Sequence, residues 1–90
     1  MATRFLIEGR VQGVGYRNWC RGEARARGLK GYVRNLFDGR VEAVVIGSHD
    51  TVDAMLKACR DGPPSADVTA IRLDAVEPPP IDGFVILQDA

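Results

Sequence analysis

Residues 9–18, Gly-Arg-Val-Gln-Gly-Val-Gly-Tyr-Arg-Asn, join an alternating strand pattern to the first clear helical run of the chain. Three of the first seven residues of this stretch are glycines, and a residue without a Cβ lets the backbone direct successive N–H groups into one concavity. The predicted helix adds unpaired N–H groups and a partial positive charge at its first turn, where Arg17 lies. We therefore expect this glycine loop (residues 9–18) to form a cradle for a small tetrahedral anion.

Outward from the glycine loop, hydrophobic periodicity predicts strands and helices in alternation. The pattern alternates over residues 4–11, whereas Tyr16, Cys20 and Ala24 recur at every fourth position, as on the buried side of a helix. An Asp-Gly dipeptide at 38–39, between two β-rich runs, indicates a hairpin. The predicted order is a strand over residues 4–11, a helix over 17–27, strands over 30–36 and 40–46, a helix over 50–60, and strands over 68–76 and 84–87.

This order, β-α-β-β-α-β followed by a short terminal strand, indicates an α+β sandwich of the ferredoxin-like type. Right-handed crossovers in both βαβ units place the two helices on one face of an antiparallel sheet. The chain has 90 residues and no stretch with the composition of a linker, so we expect a single domain over residues 1–90.

The overall composition is that of a soluble globular protein, with 46% hydrophobic and 27% charged residues. No apolar run approaches the roughly 20 residues that a membrane-spanning helix needs, and the first residues lack the apolar segment of a signal peptide. We therefore expect a cytoplasmic monomer that does not associate with membranes.

The cysteines and the histidine give little support to metal or nucleophilic chemistry. Cys20 and Cys59 match no metal-ligand spacing, and without a signal peptide we expect both to be reduced and to pack as small apolar residues. His49 is the only histidine, so a histidine-based metal site or a serine triad has too few candidate residues. We predict no metal and no cofactor.

The basic residues are concentrated in the half of the chain that contains the glycine loop, although the net charge is zero. Residues 1–45 contain nine Lys or Arg and four Asp or Glu, whereas residues 46–90 contain three and eight. The first half therefore carries five net positive charges, which favours an anionic ligand at the loop.

The glycine loop matches neither of two common phosphate motifs. A P-loop requires a lysine after its glycines, and none is present here. A dinucleotide fingerprint accommodates Gly13 and Gly15, but Asn18 occupies the place of its third glycine. Two interpretations stay open: a turn that only joins the strand to the helix, and a site for a small phosphate group.

A second polar feature lies at the end of the strand predicted over residues 30–36. Alternation places Asn35 on the same face as Gly31 and Val33, and it is the last of the three before the hairpin turn. Its amide could bond to the backbone of that turn, which is the commoner role of asparagine there. Because an amide both donates and accepts, it could instead hold a water molecule in one orientation beside an electrophile.

Three segments carry a family resemblance: Gly-Arg-Val-Gln-Gly-Val-Gly-Tyr-Arg at residues 9–17, Gly-Tyr-Val-Arg-Asn-Leu at 31–36 and Asp-Gly-Arg-Val-Glu-Ala at 38–43. Together they resemble the acylphosphatase family, and the similarity extends over essentially the whole chain. The resemblance implies hydrolysis of acyl phosphates, which are carboxyl-phosphate anhydrides, to a carboxylate and inorganic phosphate without metal or cofactor. It also implies Arg17 as the phosphate-binding catalytic residue and Asn35 as the residue that positions the attacking water.

In this interpretation the backbone N–H groups of the loop surround the phosphoryl oxygens of a small-molecule acyl phosphate, and the Arg17 guanidinium binds two of them. The phosphate-binding loop then comprises Val11, Gln12, Gly13, Val14, Gly15, Tyr16 and Arg17. Three departures from the usual family pattern bear on stability and substrate preference: Phe37 in the hairpin turn, Asp67, and a tail that ends Leu-Gln-Asp-Ala.

Two other functions fit parts of the pattern. An RNA-binding domain has the same element order, and residues 30–32 begin like an RNA-contacting motif, but Val33 and Arg34 stand where that motif needs a small residue and a stacking aromatic. We therefore predict no nucleic-acid partner.

The second alternative function is a phosphate-handling domain of a larger protein, as in hydrogenase maturation. A chain that starts with Met and ends soon after its last strand favours a free-standing enzyme instead.

Overall fold

The computed structural model describes residues 1–90 and contains two helices and five strands. In chain order they are β1 (Ala2–Arg10), α1 (Tyr16–Ala26), β2 (Lys30–Asn35), β3 (Val41–Ile46), α2 (His49–Asp61), β4 (Asp67–Val76) and β5 (Phe84–Ile86). The type and order of the elements confirm the prediction, and their ends differ from it by at most two residues. Neither helix is long and apolar enough to cross a membrane.

The strands form one five-stranded sheet in the order β4-β1-β3-β2-β5. β1 pairs antiparallel with β3 and β4, and β2 pairs antiparallel with β3, whereas β5 runs parallel to β2. The predicted antiparallel sheet is therefore correct for the four longer strands, and the complete sheet is mixed. β5 is parallel to β2 because β4 ends at the end of the sheet where β2 begins. The proline-rich connector over residues 77–83 crosses this end, so β5 enters alongside β2 in the same direction.

Both helices pack on one face of the sheet, as the ferredoxin-like sandwich requires. The buried residues between the two layers include Phe5, Ile7, Val33, Ala43, Val45 and Phe84 from the strands and Tyr16, Cys20, Ala24, Met55 and Cys59 from the helices. The predicted stripe of α1 is confirmed, because its buried residues are Tyr16, Cys20 and Ala24. Cys20 and Cys59 are free and fully buried, as predicted.

Tyr16, the first residue of α1, fixes the start of this helix against α2. Its ring is fully buried and lies edge-on to Trp19, with 5.2 Å between the ring centroids. Its hydroxyl donates to the backbone carbonyl of Cys59 over 2.7 Å. Burial raises the pKa of the Tyr16 hydroxyl, which keeps it neutral and able to donate. The glycine loop therefore ends on a helix whose first residue is held in the core.

Candidate active site

The glycine loop connects the end of β1 to the start of α1. Gly13 and Gly15 have φ angles of +73° and +80°, a backbone conformation that residues with a Cβ rarely adopt. An added Cβ at either position would meet no atom within 4 Å. Glycine is therefore required here by the backbone conformation and not by a lack of space.

The first turn of α1 is open to an anion. Gly15 precedes this helix, no side chain caps its first N–H groups, and no acidic residue lies in its first turn. By contrast, α2 begins after Ser48, whose hydroxyl accepts from the Thr51 N–H over 3.3 Å. The N–H groups at the start of α1 therefore keep their hydrogen-bonding capacity and partial positive charge for a ligand.

A cavity of about 240 Å³ lies where the glycine loop, the first turn of α1 and the ends of β2 and β5 meet. Its lining residues are Val11, Gly13, Gly15, Tyr16, Arg17, Asn18, Asn35 and Ile86. The structure thus brings Arg17 and Asn35 to one cavity. Gln12 and Val14 of the predicted phosphate loop do not line it. Ile86 was not predicted, because its position depends on the pairing of β5 with β2.

Arg17 lies in the first turn of α1, and its side chain is 41% exposed. Its Nη1 donates to Oδ1 of Asp89 over 3.3 Å, and the guanidinium makes no other hydrogen bond or ion pair within the chain. A guanidinium presents five N–H donors in a planar fork that matches two oxygens of a phosphate group. Most of these donors have no protein partner and are available to an anion.

Asn35 is the last residue of β2, and its side chain is directed to the inner face of the sheet, opposite Val41. The residue is 8% exposed, yet its side-chain amide makes no hydrogen bond within the protein. The alternative in which Asn35 bonds to the hairpin turn is therefore not observed. A nearly buried amide without a protein partner is expected to bond to water or a ligand in the cavity.

The comparisons of sequence and of structure with known proteins all indicate the same family. The acylphosphatase family model matches residues 3–86, which include every residue that lines the cavity. This chain belongs to the acylphosphatase family. The acylphosphatase of Azorhizobium caulinodans is 56% identical over 75 residues, which are 83% of this chain and 81% of that protein. The crystal structure of acylphosphatase from Bacillus subtilis superposes with a TM-score of 0.90 at 34% identity, over 96% of this chain and 97% of that chain.

The acylphosphatase fold also occurs within a larger protein. The crystal structure of HypF from T. kodakarensis matches with a TM-score of 0.87 at 29% identity, over 100% of this chain and 12% of that chain. The resemblance to the acylphosphatase family and the ferredoxin-like fold are confirmed by these comparisons. Whether this chain acts as a free-standing enzyme stays a prediction.

Gln12 has a place in this acylphosphatase site that the sequence did not indicate. Its Nε2 donates to the backbone carbonyls of Leu36, over 2.7 Å, and of Arg40, over 2.9 Å. These carbonyls lie on the two sides of the β2–β3 turn, directly after Asn35. Gln12 therefore joins the glycine loop to the strand that ends in Asn35. No local pattern predicts this contact, because its partners lie 24 and 28 positions further along the chain.

The segment after β5, residues 87–90, runs beside β2 as far as the cavity. Three backbone hydrogen bonds of 2.7–3.0 Å join Leu87 to Val33 and Ala90 to Asn35 and to Phe37. The Phe37 side chain itself is 83% exposed. These bonds place Asp89 beside Arg17, a contact that the sequence did not predict.

The opposite face of the sheet differs from the stacking surface of an RNA-binding domain. Glu42 is 5% exposed, accepts from Arg34 over 2.7 Å and lies 3.8 Å from Arg4. The Arg34 guanidinium covers the ring of Tyr32, at 5.3 Å from its centroid. Bases stack on exposed aromatic rings. The arrangement therefore does not favour RNA as a ligand of this face.

Proposed function

We propose that this acylphosphatase hydrolyses a small-molecule acyl phosphate to a carboxylate and inorganic phosphate in the cavity between the glycine loop and Asn35. Membership of the family supports a hydrolase of this class. The observation that supports the mechanism most directly is that three features line the same cavity. They are the uncapped start of α1, the Arg17 guanidinium and the Asn35 amide without a protein partner. The first two bind a phosphoryl group, and the third binds water.

The phosphoryl group binds at the first turn of α1. Backbone N–H groups of residues 11–17 donate to its oxygens, and Arg17 binds two oxygens through its planar fork. No acidic residue in this turn opposes the negative charge of the ligand. The left-handed glycines, Gly13 and Gly15, support this step because they set the direction of the loop backbone.

Asn35 holds the attacking water. A single water molecule donates one hydrogen to the amide oxygen and accepts one from the amide nitrogen, which leaves a lone pair free to attack phosphorus. Asn35 lies opposite Val41 of β3 on one side, and on the other side its backbone carbonyl accepts from the Ala90 N–H of the segment after β5. The side-chain amide is therefore attached to a fixed backbone position. Holding the water in place in this way lowers the entropic part of the activation barrier for hydrolysis.

The chemistry needs little beyond positioning and charge stabilisation. A carboxylate is a good leaving group, so the bond to it breaks without a strong general acid. Negative charge spreads over the phosphoryl oxygens in a loose transition state, and it meets donors that are in place before the reaction. No residue that lines the cavity is a histidine, aspartate or glutamate. In this mechanism an oxygen of the substrate takes the proton of the water.

Turnover of benzoyl phosphate, a simple aromatic acyl phosphate, tests the proposal. We expect the purified protein to release benzoate and inorganic phosphate in equal amounts, in the presence of EDTA as well as without it. An alkyl phosphate ester serves as the control substrate, because its alkoxide leaving group needs an acid that the cavity does not offer. Folded protein that releases no phosphate above the spontaneous rate would contradict the proposal.

The active form is proposed to be the monomer. One chain supplies the glycine loop, Arg17 and Asn35, which are the groups that the proposed mechanism uses. Size-exclusion chromatography at the protein concentration of the assay checks this point, and turnover that requires a dimer would overturn it. The cytoplasmic location stays a prediction from the sequence.

A further inference from the structure

Asp89 is the one residue that pairs with the guanidinium of Arg17. Its Oδ1 lies 3.3 Å from Nη1, and the two side chains are 48% and 41% exposed. Asp89 forms no ion pair with any other cation. Its carboxylate therefore contacts the group that is proposed to bind the phosphoryl oxygens, and it contacts that group alone.

The position of Asp89 is set by the backbone and not by this ion pair. The Leu87 N–H donates to the carbonyl of Val33 over 3.0 Å, and the Ala90 N–H donates to the carbonyl of Asn35 over 3.0 Å. These bonds lie on both sides of Asp89. The carboxylate is therefore kept near Arg17 when a ligand arrives, whereas a carboxylate on an unattached segment would move away.

A phosphoryl group and the Asp89 carboxylate compete for the same guanidinium. Both are oxyanions that accept N–H hydrogen bonds from the guanidinium fork. A ligand that binds through Nη1 displaces Asp89, and a ligand that binds the other donors lies close to its negative charge, which is repulsive. The glycine loop and the first turn of α1 contain no acidic residue. Asp89 is therefore the carboxylate that opposes an anion at Arg17.

We propose that Asp89 competes with the phosphoryl group for Arg17 and thereby lowers the affinity of the enzyme for its anionic substrate and for product phosphate. In the free enzyme Asp89 holds the guanidinium beside the cavity. After turnover the contact between Asp89 and Arg17 favours phosphate release, because it stabilises the phosphate-free state more than the phosphate-bound state. The inference rests on the proposed function of the cavity. An exposed ion pair has a small effect, so we expect about a fivefold change in the dissociation constant, which corresponds to about 1 kcal/mol.

Titration of inorganic phosphate into the protein tests this inference without any need for turnover. Calorimetric titrations compare the wild type with Asp89→Asn, which keeps the shape of the side chain and removes its charge. Asp82→Asn is the matched control, because Asp82 pairs with Lys30 at the end of β2 opposite to Asn35. We expect Asp89→Asn to bind phosphate about threefold to fivefold more tightly and Asp82→Asn to match the wild type. The difference should shrink in about 0.5 M salt, which screens exposed charges.

Two results overturn the proposal. One is an Asp89→Asn variant that binds phosphate with wild-type or weaker affinity. The other is a variant that loses kcat for benzoyl phosphate at unchanged KM, because Asp89 would then orient Arg17 for the reaction rather than compete with the ligand. If Asp89 competes with the ligand, Asp89→Asn instead lowers both KM and the inhibition constant of phosphate. If the wild type does not hydrolyse benzoyl phosphate, the proposed function fails, and the phosphate titration still decides the role of Asp89.

Discussion

The side-chain amide of Gln12 donates to the backbone carbonyl of Leu36 over 2.7 Å, and this hydrogen bond joins the glycine loop to the turn that follows Asn35. The same nitrogen donates to the carbonyl of Arg40 over 2.9 Å, on the other side of the turn. Gln12 thus donates to both carbonyls of the turn, and the Asn35 side-chain amide stays available to a water molecule or ligand in the cavity. Gln12 itself does not line the cavity, so the spacing between the phosphate-binding and water-binding parts depends on a residue outside it.

Substitution of Gln12 by methionine should separate positioning from binding. The change keeps an unbranched side chain and removes both donors from partly buried carbonyls, so we expect the free energy of unfolding to fall by roughly 1–3 kcal/mol. We also expect kcat for an acyl phosphate to fall about tenfold with unchanged phosphate affinity, because Asn35 is displaced relative to the loop. Urea denaturation and initial-rate kinetics measure the two effects. Gln88→Met, at an exposed position, is the control. Reduced phosphate affinity at unchanged kcat would argue against the positioning role.

Replacement of Arg17 by alanine should remove phosphate binding and turnover together. The loss in kcat/KM is expected to reach about 10³-fold, since the guanidinium supplies two charge-assisted donors to the transition state. The free energy of unfolding should change by less than about 1 kcal/mol, because the pair with Asp89 is exposed. Phosphate titration measures the phosphate affinity, initial-rate kinetics measures kcat/KM, and urea denaturation measures the free energy of unfolding. Lys57→Ala removes one exposed positive charge from α2 and should leave all three unchanged.

Replacement of Asn35 by alanine should reduce turnover and leave phosphate binding nearly intact. We expect kcat to fall by about 10²-fold, because the water loses the groups that orient it. The inhibition constant of inorganic phosphate should stay within about threefold of the wild type, since the loop and Arg17 are unchanged. Steady-state kinetics with phosphate as the inhibitor measures both quantities. Near-normal kcat in the variant would rule out water positioning by Asn35.

Two glycines of the same region should respond to alanine in opposite ways. Gly15 has a φ of +80°, so Gly15→Ala is expected to cost about 1 kcal/mol of stability and to distort the loop that binds phosphate. Gly22 lies exposed inside α1 without a positive φ, and no atom lies within 4 Å of an added Cβ. Gly22→Ala should therefore stabilise the protein by up to about 1 kcal/mol and raise Tm by roughly 4–8 °C. Thermal unfolding and phosphate titration test both changes, and equal effects at the two positions would refute the conformational argument.

Replacement of Tyr16 by phenylalanine should show how much its hydroxyl contributes to the free energy of unfolding. The variant leaves the buried Cys59 carbonyl without its 2.7 Å donor, so we expect a loss of about 1–3 kcal/mol in the free energy of unfolding at neutral pH. Burial raises the pKa of Tyr16 in the folded state, whereas the hydroxyl of the unfolded chain ionises near pH 10. This stabilisation is therefore complete below about pH 10 and is lost as the pH rises above it. Urea denaturation at pH 7 and pH 11 should show a smaller difference between the two proteins at the higher pH.

The elements of the fold were predictable because each depends on nearby residues. The four-residue spacing of Tyr16, Cys20 and Ala24 marks the side of α1 that is buried, and the structure places all three in the core. The direction of β5 was not predictable in the same way. Its parallel pairing with β2 follows from the end of the sheet at which β4 stops, and no residue of β5 itself encodes that position.

The sequence by itself determined the order of helices and strands, the glycines that let the backbone turn between β1 and α1, and the place of Arg17 in the first turn of a helix. These features follow from the steric and hydrogen-bonding properties of neighbouring residues. Only the tertiary structure decided which side chains are free at the cavity. Gln12 satisfies carbonyls 24 and 28 positions away, which leaves the Asn35 amide unpaired, and Asp89 reaches Arg17 across 72 positions. Hydrogen bonds at such separations exist only once the sheet and the segment after β5 have brought their partners together.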